Sequence, residues 1–279
     1  MIKIADLMQS SGVGFGTSGA RGTVEAMSNS VCYAYTQAFL QAMQAESVIQ
    51  PGSEVVLAGD LRASTPRILA AVARAVADAG YQLTYAGMIP SPAVVFYAMQ
   101  QGAASIMVTG SHIPDDRNGI KFNRPDGEIL KADEVRIREQ SVTLPEPFPE
   151  ISESDLPDVN SAAAEMYLDR FISFLPDNCL EGAYLGVYEH SGVARDLLGN
   201  ILEQLGATVT RLARSDTFIP VDTEAIREED VRLAQQWSGE YGFDAVVSTD
   251  GDADRPLLAD EQGEWLRGDI VGVLCARFM

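Results

Sequence analysis

Apolar residues recur along this chain in short runs joined by polar turns, and longer amphipathic stretches lie between them. The run EVVLAGD from Glu54 is strand-like. A polar turn, LRAST, follows it, and PRILAAVARAVADAG then spaces its apolar residues as a helix does, with Pro66 suited to a first turn and Gly80 to a stop. A second strand-loop-helix passage reads YQLTYAGMIPSPAVVFYAMQQ, and a third strand, ASIMVTG, ends at the polar turn SHIPDDRNG. Strands alternating with helices predict an α/β sheet.

Residues 144–161, LPEPFPEISESDLPDVNS, are rich in Pro, Ser and acidic residues without periodicity, and predict a boundary. Beyond a short helical stretch, AEMYLDRFISFL, come the strand AYLGVYE, the turn HSGV, the helix ARDLLGNILEQLG and the strand ATVTRLA. This repeats the order that starts at Glu54, so a duplicated unit is expected. A further helix near TEAIREEDVRLAQQWSGEYG leads to the strand DAVVSTD, whose end carries GDADR. The last stretch predicts a strand, a turn at Gln262-Gly263 and a helix from near Asp269, within which the chain ends. The expected domains are therefore 1–145, 160–256 and the opening of an incomplete third over 257–279. A truncated chain is the corresponding expectation.

Composition narrows the function. With 40 Asp and Glu against 20 Lys and Arg, the formal charge of −20 argues against a nucleic-acid binder, which needs Lys and Arg to neutralise phosphates. It equally disfavours a membrane surface. Lysine is rare: Lys3, Lys121 and Lys131 are the full set. Cys32, Cys179 and Cys275 form no CxxC or Cys/His pattern and read as buried free thiols of a reducing compartment. The N-terminus lacks a signal-peptide pattern, and no run approaches the ~18 apolar residues of a membrane span. A soluble, cytoplasmic protein is expected.

Four loops hold residues that packing does not require. GVGFGTSGARG, Gly12 to Gly22, combines five glycines with Thr17, Ser18 and Arg21, a flexible segment able to approach an anion, although an ordinary N-terminal loop has the same composition. AGDLRAST places Asp60, Arg62 and Ser64 between a strand and a helix, where they would orient a catalytic loop or simply cap the helix. VTGSHIPDDRNGIKF sets Ser111, His112 and Lys121 past a strand. It is not a nucleophile elbow, because Thr109 and Ile113 stand where glycines belong. Neighbours in extended backbone point to opposite sides, so His112 is poorly placed as a base for Ser111, and a serine that is itself phosphorylated fits better. Lys121 then has a use beside phosphate.

VVSTDGDADRP carries the strongest signal. Asp250, Asp252 and Asp254 repel one another unless a divalent cation neutralises them, and hard oxygen ligands suit Mg²⁺. An EF-hand loop would need Gly where Arg255 stands, and a strand rather than a helix precedes it. A phosphatase with an aspartate nucleophile would leave Arg255 and the serine loop without roles.

Together and in order, FGTSGARG, GDLRAST, TGSHIP with NGIK, and DGDADR resemble the α-D-phosphohexomutase family, the phosphomannomutases and phosphoglucomutases. The resemblance runs from about Phe15 to the C-terminus. It implies related α/β domains with mixed sheets flanked by helices and a cleft where they meet. Ser111 would be the phosphoserine, and Asp250, Asp252 and Asp254 would hold Mg²⁺ with it. Arg21, Lys121, His112 and Arg255 would surround the phosphoryl group, Thr17 and Ser18 would contribute to phosphate binding, and Asp60 and Arg62 would support the serine loop. The implied activity interconverts hexose 1- and 6-phosphates of mannose or glucose through a hexose bisphosphate. The alternative is a non-catalytic fragment that binds a sugar phosphate or a partner. Ile113 departs from the family's usual Asn, and Ala20 from its common Ile.

Overall fold

The computed structural model describes residues 1–16 and 19–279, so Thr17 and Ser18 lie outside the described residues. The chain divides into two compact units, one of Met1–Gly110 with Pro114–Ala164 and one of Ser111–Ile113 with Glu165–Met279.

The first unit runs β1 (Ile2–Lys3), α1 (Ile4–Ser11), β2 (Gly14–Phe15), β3 (Gly19–Thr23), α2 (Asn29–Ala45), β4 (Glu54–Gly59), α3 (Thr65–Asp78), β5 (Gln82–Met88), α4 (Ser91–Gln101), β6 (Ala104–Val108), β7 (Arg117–Arg124), β8 (Gly127–Glu128), α5 (Lys131–Glu139) and β9 (Ser141–Val142). Its main sheet has the order β2-β3-β7-β6-β4-β5, with β8 paired to β7. β4 is parallel to β5 and β6, whereas β7 is antiparallel to both β6 and β3. The apolar stripe of α3 buries Ile68, Leu69, Val72 and Val76, each worth about 1.5–3 kcal/mol when fully removed from water. Phe39 of α2 stacks on Phe122 of β7 with ring centroids 4.7 Å apart. Ser64 stands at the N-cap of α3 but makes no capping bond, and its hydroxyl instead accepts from the Asn118 amide at 2.9 Å.

The glycine-rich segment is not the free loop its composition suggests. Gly19–Thr23 is a strand held between β2 and β7, and a Cβ on Gly19 would lie 2.1 Å from the Ile120 carbonyl oxygen. Glycine here allows one backbone to approach another.

In the second unit, α6 (Ala162–Phe174), whose start crosses the division, precedes β10 (Tyr184–Tyr188), α7 (Arg195–Gln204), β11 (Thr208–Leu212), α8 (Glu228–Tyr241), β12 (Ala245–Thr249), β13 (Pro256–Ala259), β14 (Trp265–Leu266) and α9 (Gly268–Phe278). The sheet order is β11-β10-β12-β13-β14, parallel across β11, β10 and β12 and antiparallel thereafter. Three acidic residues in the first turn of α8 suit the positive end of its dipole, and Gly242, at φ 70°, terminates it. Tyr188, Trp237, Phe243, Val246 and Leu257 form the core. The segment from Pro256 to Leu266 thus continues this sheet, and α9 carries no buried residue.

The two units follow one path. Each lays its first α/β strand in the middle (β4, β10), crosses to an outer parallel neighbour (β5, β11), returns to the other side (β6, β12) and then reverses direction (β7, β13). The duplication expected from the pattern is present as topology.

The thiols correct the sequence reading. All three are free, but only Cys32 is buried, while Cys179 and Cys275 are exposed. Burial pushes the Cys32 thiol up to about 12. Titration of the native protein with a chromogenic disulfide reagent at pH 8 is expected to read Cys179 and Cys275 promptly and Cys32 only after denaturant is added. Among the described residues, no helix is long and apolar enough to cross a membrane.

Candidate active site

In the second unit the chain leaves β12 into the turn Asp250–Arg255. This turn is closed by the Asp250 amide donating to the Arg255 carbonyl at 3.1 Å, the Ala253 amide donating to the Asp250 carbonyl at 3.2 Å and the Arg255 amide donating to Asp250 Oδ1 at 3.3 Å. Ala253 adopts the left-handed region, φ 58°. The turn gathers one ligand oxygen from each of Asp250, Asp252 and Asp254 within 4.8 Å of one another, the first two residues buried and the third exposed. Burial first, then the charges of Asp252 and Asp254, push the Asp250 carboxyl above the usual carboxylate range, while a hydrogen bond from Ser111 pulls it back. Such a cluster has the charge and the hard oxygen donors that a divalent cation requires.

Ser111 sits against this turn. Its hydroxyl donates to Asp250 Oδ2 at 2.7 Å and lies 3.3 Å from His112 Nδ1. A Cβ on Gly251 would fall 2.9 Å from the Ser111 carbonyl oxygen, so glycine at 251 is what permits this approach. The nearness of His112 corrects the expectation drawn from sequence. Opposite-facing neighbours presuppose extended backbone, but Ser111 has φ 52°, which turns both side chains toward a common region. Holding a non-glycine residue there costs roughly 1–2 kcal/mol and marks a position fixed by its surroundings.

In the first unit Asp60, fully buried at the end of β4, accepts from five donors. They are the Arg62 amide and Nε, both at 3.1 Å, the Thr65 hydroxyl at 2.6 Å, the Thr109 hydroxyl at 2.9 Å and the Gly110 amide at 3.2 Å. Burial pushes its carboxyl up, and Arg62 with these donors pulls the other way. The Arg62 Nη1 donates in turn to the carbonyls of Pro114 at 2.8 Å and Arg117 at 3.1 Å. The pair therefore holds both stretches between which Ser111–Ile113 is strung. Gly110 has to be glycine, since a Cβ there would lie 2.6 Å from the guanidinium carbon. Asp60 does not cap α3, as the simpler reading of that loop allowed.

The fold thus brings Ser111, His112, Asp250, Asp252 and Asp254 together in one unit, and Asp60 with Arg62 in the other. Arg21 on β3 pairs with Gly119, and Lys121 on β7 pairs with Gly19. Cross-strand partners share a face, and so do residues two apart on one strand, so Arg21 and Lys121 project from the same face of the sheet. Arg255 turns its Nη1 to Glu224 Oε1 at 3.0 Å, while its Nε stays 3.9 Å from Asp254 Oδ1. The reading from sequence missed Thr65 and Thr109, whose donors complete the shell around Asp60. Thr109 lies 49 positions from Asp60, and only its place beside Gly110 could have drawn attention to it.

Residues 12–145 match the model for phosphoglucomutase/phosphomannomutase α/β/α domain I, and residues 165–263 match that for domain II. The chain is 45% identical over 271 residues to a phosphomannomutase of Salmonella muenchen, covering 97% of this chain and 55% of that protein. It is 44% identical over 267 residues to one of Sinorhizobium fredii, covering 95% of this chain and 56% of that protein. In structure it resembles a phosphoglucomutase/phosphomannomutase family protein of Burkholderia thailandensis, with a TM-score of 0.71 at 21% identity, covering 95% of this chain and 56% of that one. The chain spans about half the length of the curated relatives it matches.

Proposed function

The chain belongs to the phosphoglucomutase/phosphomannomutase family, and from that premise we propose that it serves a phosphohexomutase interconverting hexose 1-phosphate and hexose 6-phosphate, of mannose or glucose, through a phosphorylated Ser111. The observation that carries this reading is the 2.7 Å hydrogen bond from the Ser111 hydroxyl to an aspartate of the three-carboxylate cluster.

Asp250, Asp252 and Asp254 fit Mg²⁺. Their ligand oxygens converge, two of the three residues are buried, and the burial and then the mutual repulsion that raise Asp250 are what a dication offsets. Bound there, Mg²⁺ would supply positive charge to a phosphoryl oxygen in transfer.

Phosphorylated Ser111 would give its phosphoryl group to one hydroxyl of a hexose monophosphate. The Oγ–P bond breaks, a P–O bond to the sugar forms, and the hydroxyl proton returns to Ser111 Oγ. After the bisphosphate reorients, Ser111 takes the other phosphoryl group, and its proton passes back to the newly freed sugar oxygen. His112 Nδ1 and Asp250 Oδ2 lie within reach of that proton. Arg21 and Lys121, sharing a face, would hold phosphate oxygens, assisted by Thr17 and Ser18, with Arg255 joining by exchanging its exposed partner Glu224. Asp60 and Arg62 would fix the serine loop. The substrates would be hexose phosphates and bisphosphates, and the compartment the cytoplasm.

A second reading follows from the extent of the match, which takes in domains I and II over about half the relatives' length. Here the chain carries the phosphoserine and metal loop and binds a sugar phosphate without turnover. One pair of measurements separates the readings. Incubated with glucose 1,6-bisphosphate and Mg²⁺, the protein is expected to gain the mass of one phosphate on the Ser111 peptide, and EDTA prevents this. A coupled assay is expected to interconvert mannose 1-phosphate and mannose 6-phosphate. Phosphorylation without turnover selects the second reading, and neither result overturns both.

A further inference from the structure

Outside the residues discussed so far, the second unit holds one side chain whose geometry calls for a role. His190 follows the central strand β10, and its ring is buried with 1% relative exposure. Its Nε2 lies 2.9 Å from the carbonyl oxygen of Thr249, the residue immediately before Asp250. A carbonyl only accepts, so Nε2 carries the proton and Nδ1 is a bare lone pair, which finds no hydrogen-bond partner among the described residues. The backbone is also bent to this end, since His190 has φ 32°, in the left-handed region that disfavours a side chain of this size. The neighbours leave room for the ring. A Cβ on Gly192 would come within 3.0 Å of His190 Cε1, and the Tyr188 ring packs edge-on with centroids 5.1 Å apart.

The same turn makes a second contact beyond Asp250, where the Val193 amide donates to the Gly251 carbonyl at 3.1 Å. Asp250 is thus bracketed by a side-chain bond on the residue before it and a backbone bond on the residue after it. The first unit uses the same device at the same place in its topology, where Asp60, in the loop after central strand β4, accepts from Thr109 and Gly110 at the end of β6. In both units the loop after the central strand clasps the chain as it leaves the third.

We propose that His190 is a positioning residue for the carboxylate cluster, fixing the exit from β12 so that Asp250 and Asp252 converge on a divalent cation. The inference rests on the metal-binding reading of that cluster. A buried imidazole that merely filled the core would need neither a strained backbone nor an unmade hydrogen bond at Nδ1.

The test is Mn²⁺ binding followed by electron paramagnetic resonance, with thermal unfolding measured alongside, on the chain and three variants. His190→Asn suits the left-handed backbone better, but its amide stops one bond short of Thr249, whereas His190→Gln restores a donor at the reach of Nε2. If the clasp operates, His190→Asn keeps or raises the melting temperature while weakening Mn²⁺ binding by about 10–100-fold, the range found when outer partners of a metal site are removed. His190→Gln should recover most of that loss, and Asp252→Asn should abolish binding. Unchanged Mn²⁺ affinity in His190→Asn overturns the role of His190 and leaves the metal site standing. The role is equally overturned if affinity and melting temperature fall together in both His190 variants, because that is the mark of general unfolding. Failure of the unaltered chain to bind Mn²⁺ removes the metal reading and the positioning role with it.

Discussion

A Ser111→Ala protein is expected to carry no covalent phosphate after incubation with hexose bisphosphate and Mg²⁺, and to lose any phosphohexomutase turnover by on the order of a thousandfold or more, as when a nucleophile is deleted. The magnitude follows from what the atom does. Ser111 Oγ is the oxygen to which the phosphoryl group would be joined, and it is the atom that reaches Asp250 Oδ2 at 2.7 Å. Stability should fall by about 1.5–3 kcal/mol, because one hydrogen bond to a carboxylate is lost, which is small beside the loss of turnover. The removed side chain is also small, and its backbone is held in place by the approach of Gly251. His112→Ala should be milder on both counts, since its Nδ1 lies at 3.3 Å and would assist a proton rather than carry phosphate. Peptide mass spectrometry with a coupled assay reads both quantities. Retained turnover in Ser111→Ala would discard the phosphoserine mechanism altogether.

The largest stability effect should come from the buried pair in the first unit. Asp60→Asn places an NH₂ group among donors. The Arg62 amide and Nε, the Thr65 and Thr109 hydroxyls and the Gly110 amide all point at this side chain, and Asn keeps one acceptor for them. Arg62→Met errs in the other direction, leaving a buried carboxylate without its cation. Breaking one member of such a pair costs about 3–5 kcal/mol, which we expect in urea unfolding of the first unit for either single variant. The double variant should cost clearly less than the sum of the two, because removing both partners leaves no orphaned charge. Strict additivity would show that Asp60 and Arg62 do not act as a unit.

Much of this architecture could be read directly from the residues, and the exceptions have physical causes. The helix Thr65–Asp78 announced itself through Pro66, a clean apolar stripe and Gly80. The longer helix Asn29–Ala45 went unread, because residues on nearly all its sides are buried, among them Cys32, Tyr35, Thr36, Phe39 and Met43, and no polar face marks the helical period. Gly19–Thr23 has no strand propensity of its own, and its conformation is imposed by β7, about a hundred residues later in the chain. At the site, the three aspartates were legible because their ligands lie within one short turn. The Asp60 shell was half legible, as Arg62 is local whereas Thr109 and Gly110 arrive only through the β4–β6 pairing. His190 was passed over because a lone histidine in a turn gives no pattern, and its contact with Thr249 spans 59 positions.

The strand path shared by the two units bears on how the protein is made. Among the parallel strands of each unit the central one comes first in the sequence and the outer one second, and the strand that launches the serine loop or the carboxylate turn comes third. During synthesis from the N-terminus, the serine loop and the carboxylate turn therefore leave the ribosome after the central strand on which their own strand docks, β4 for β6 and β10 for β12. Ser111 and Asp250 thus each emerge after the central strand of their own sheet, with a template for their strand already synthesised.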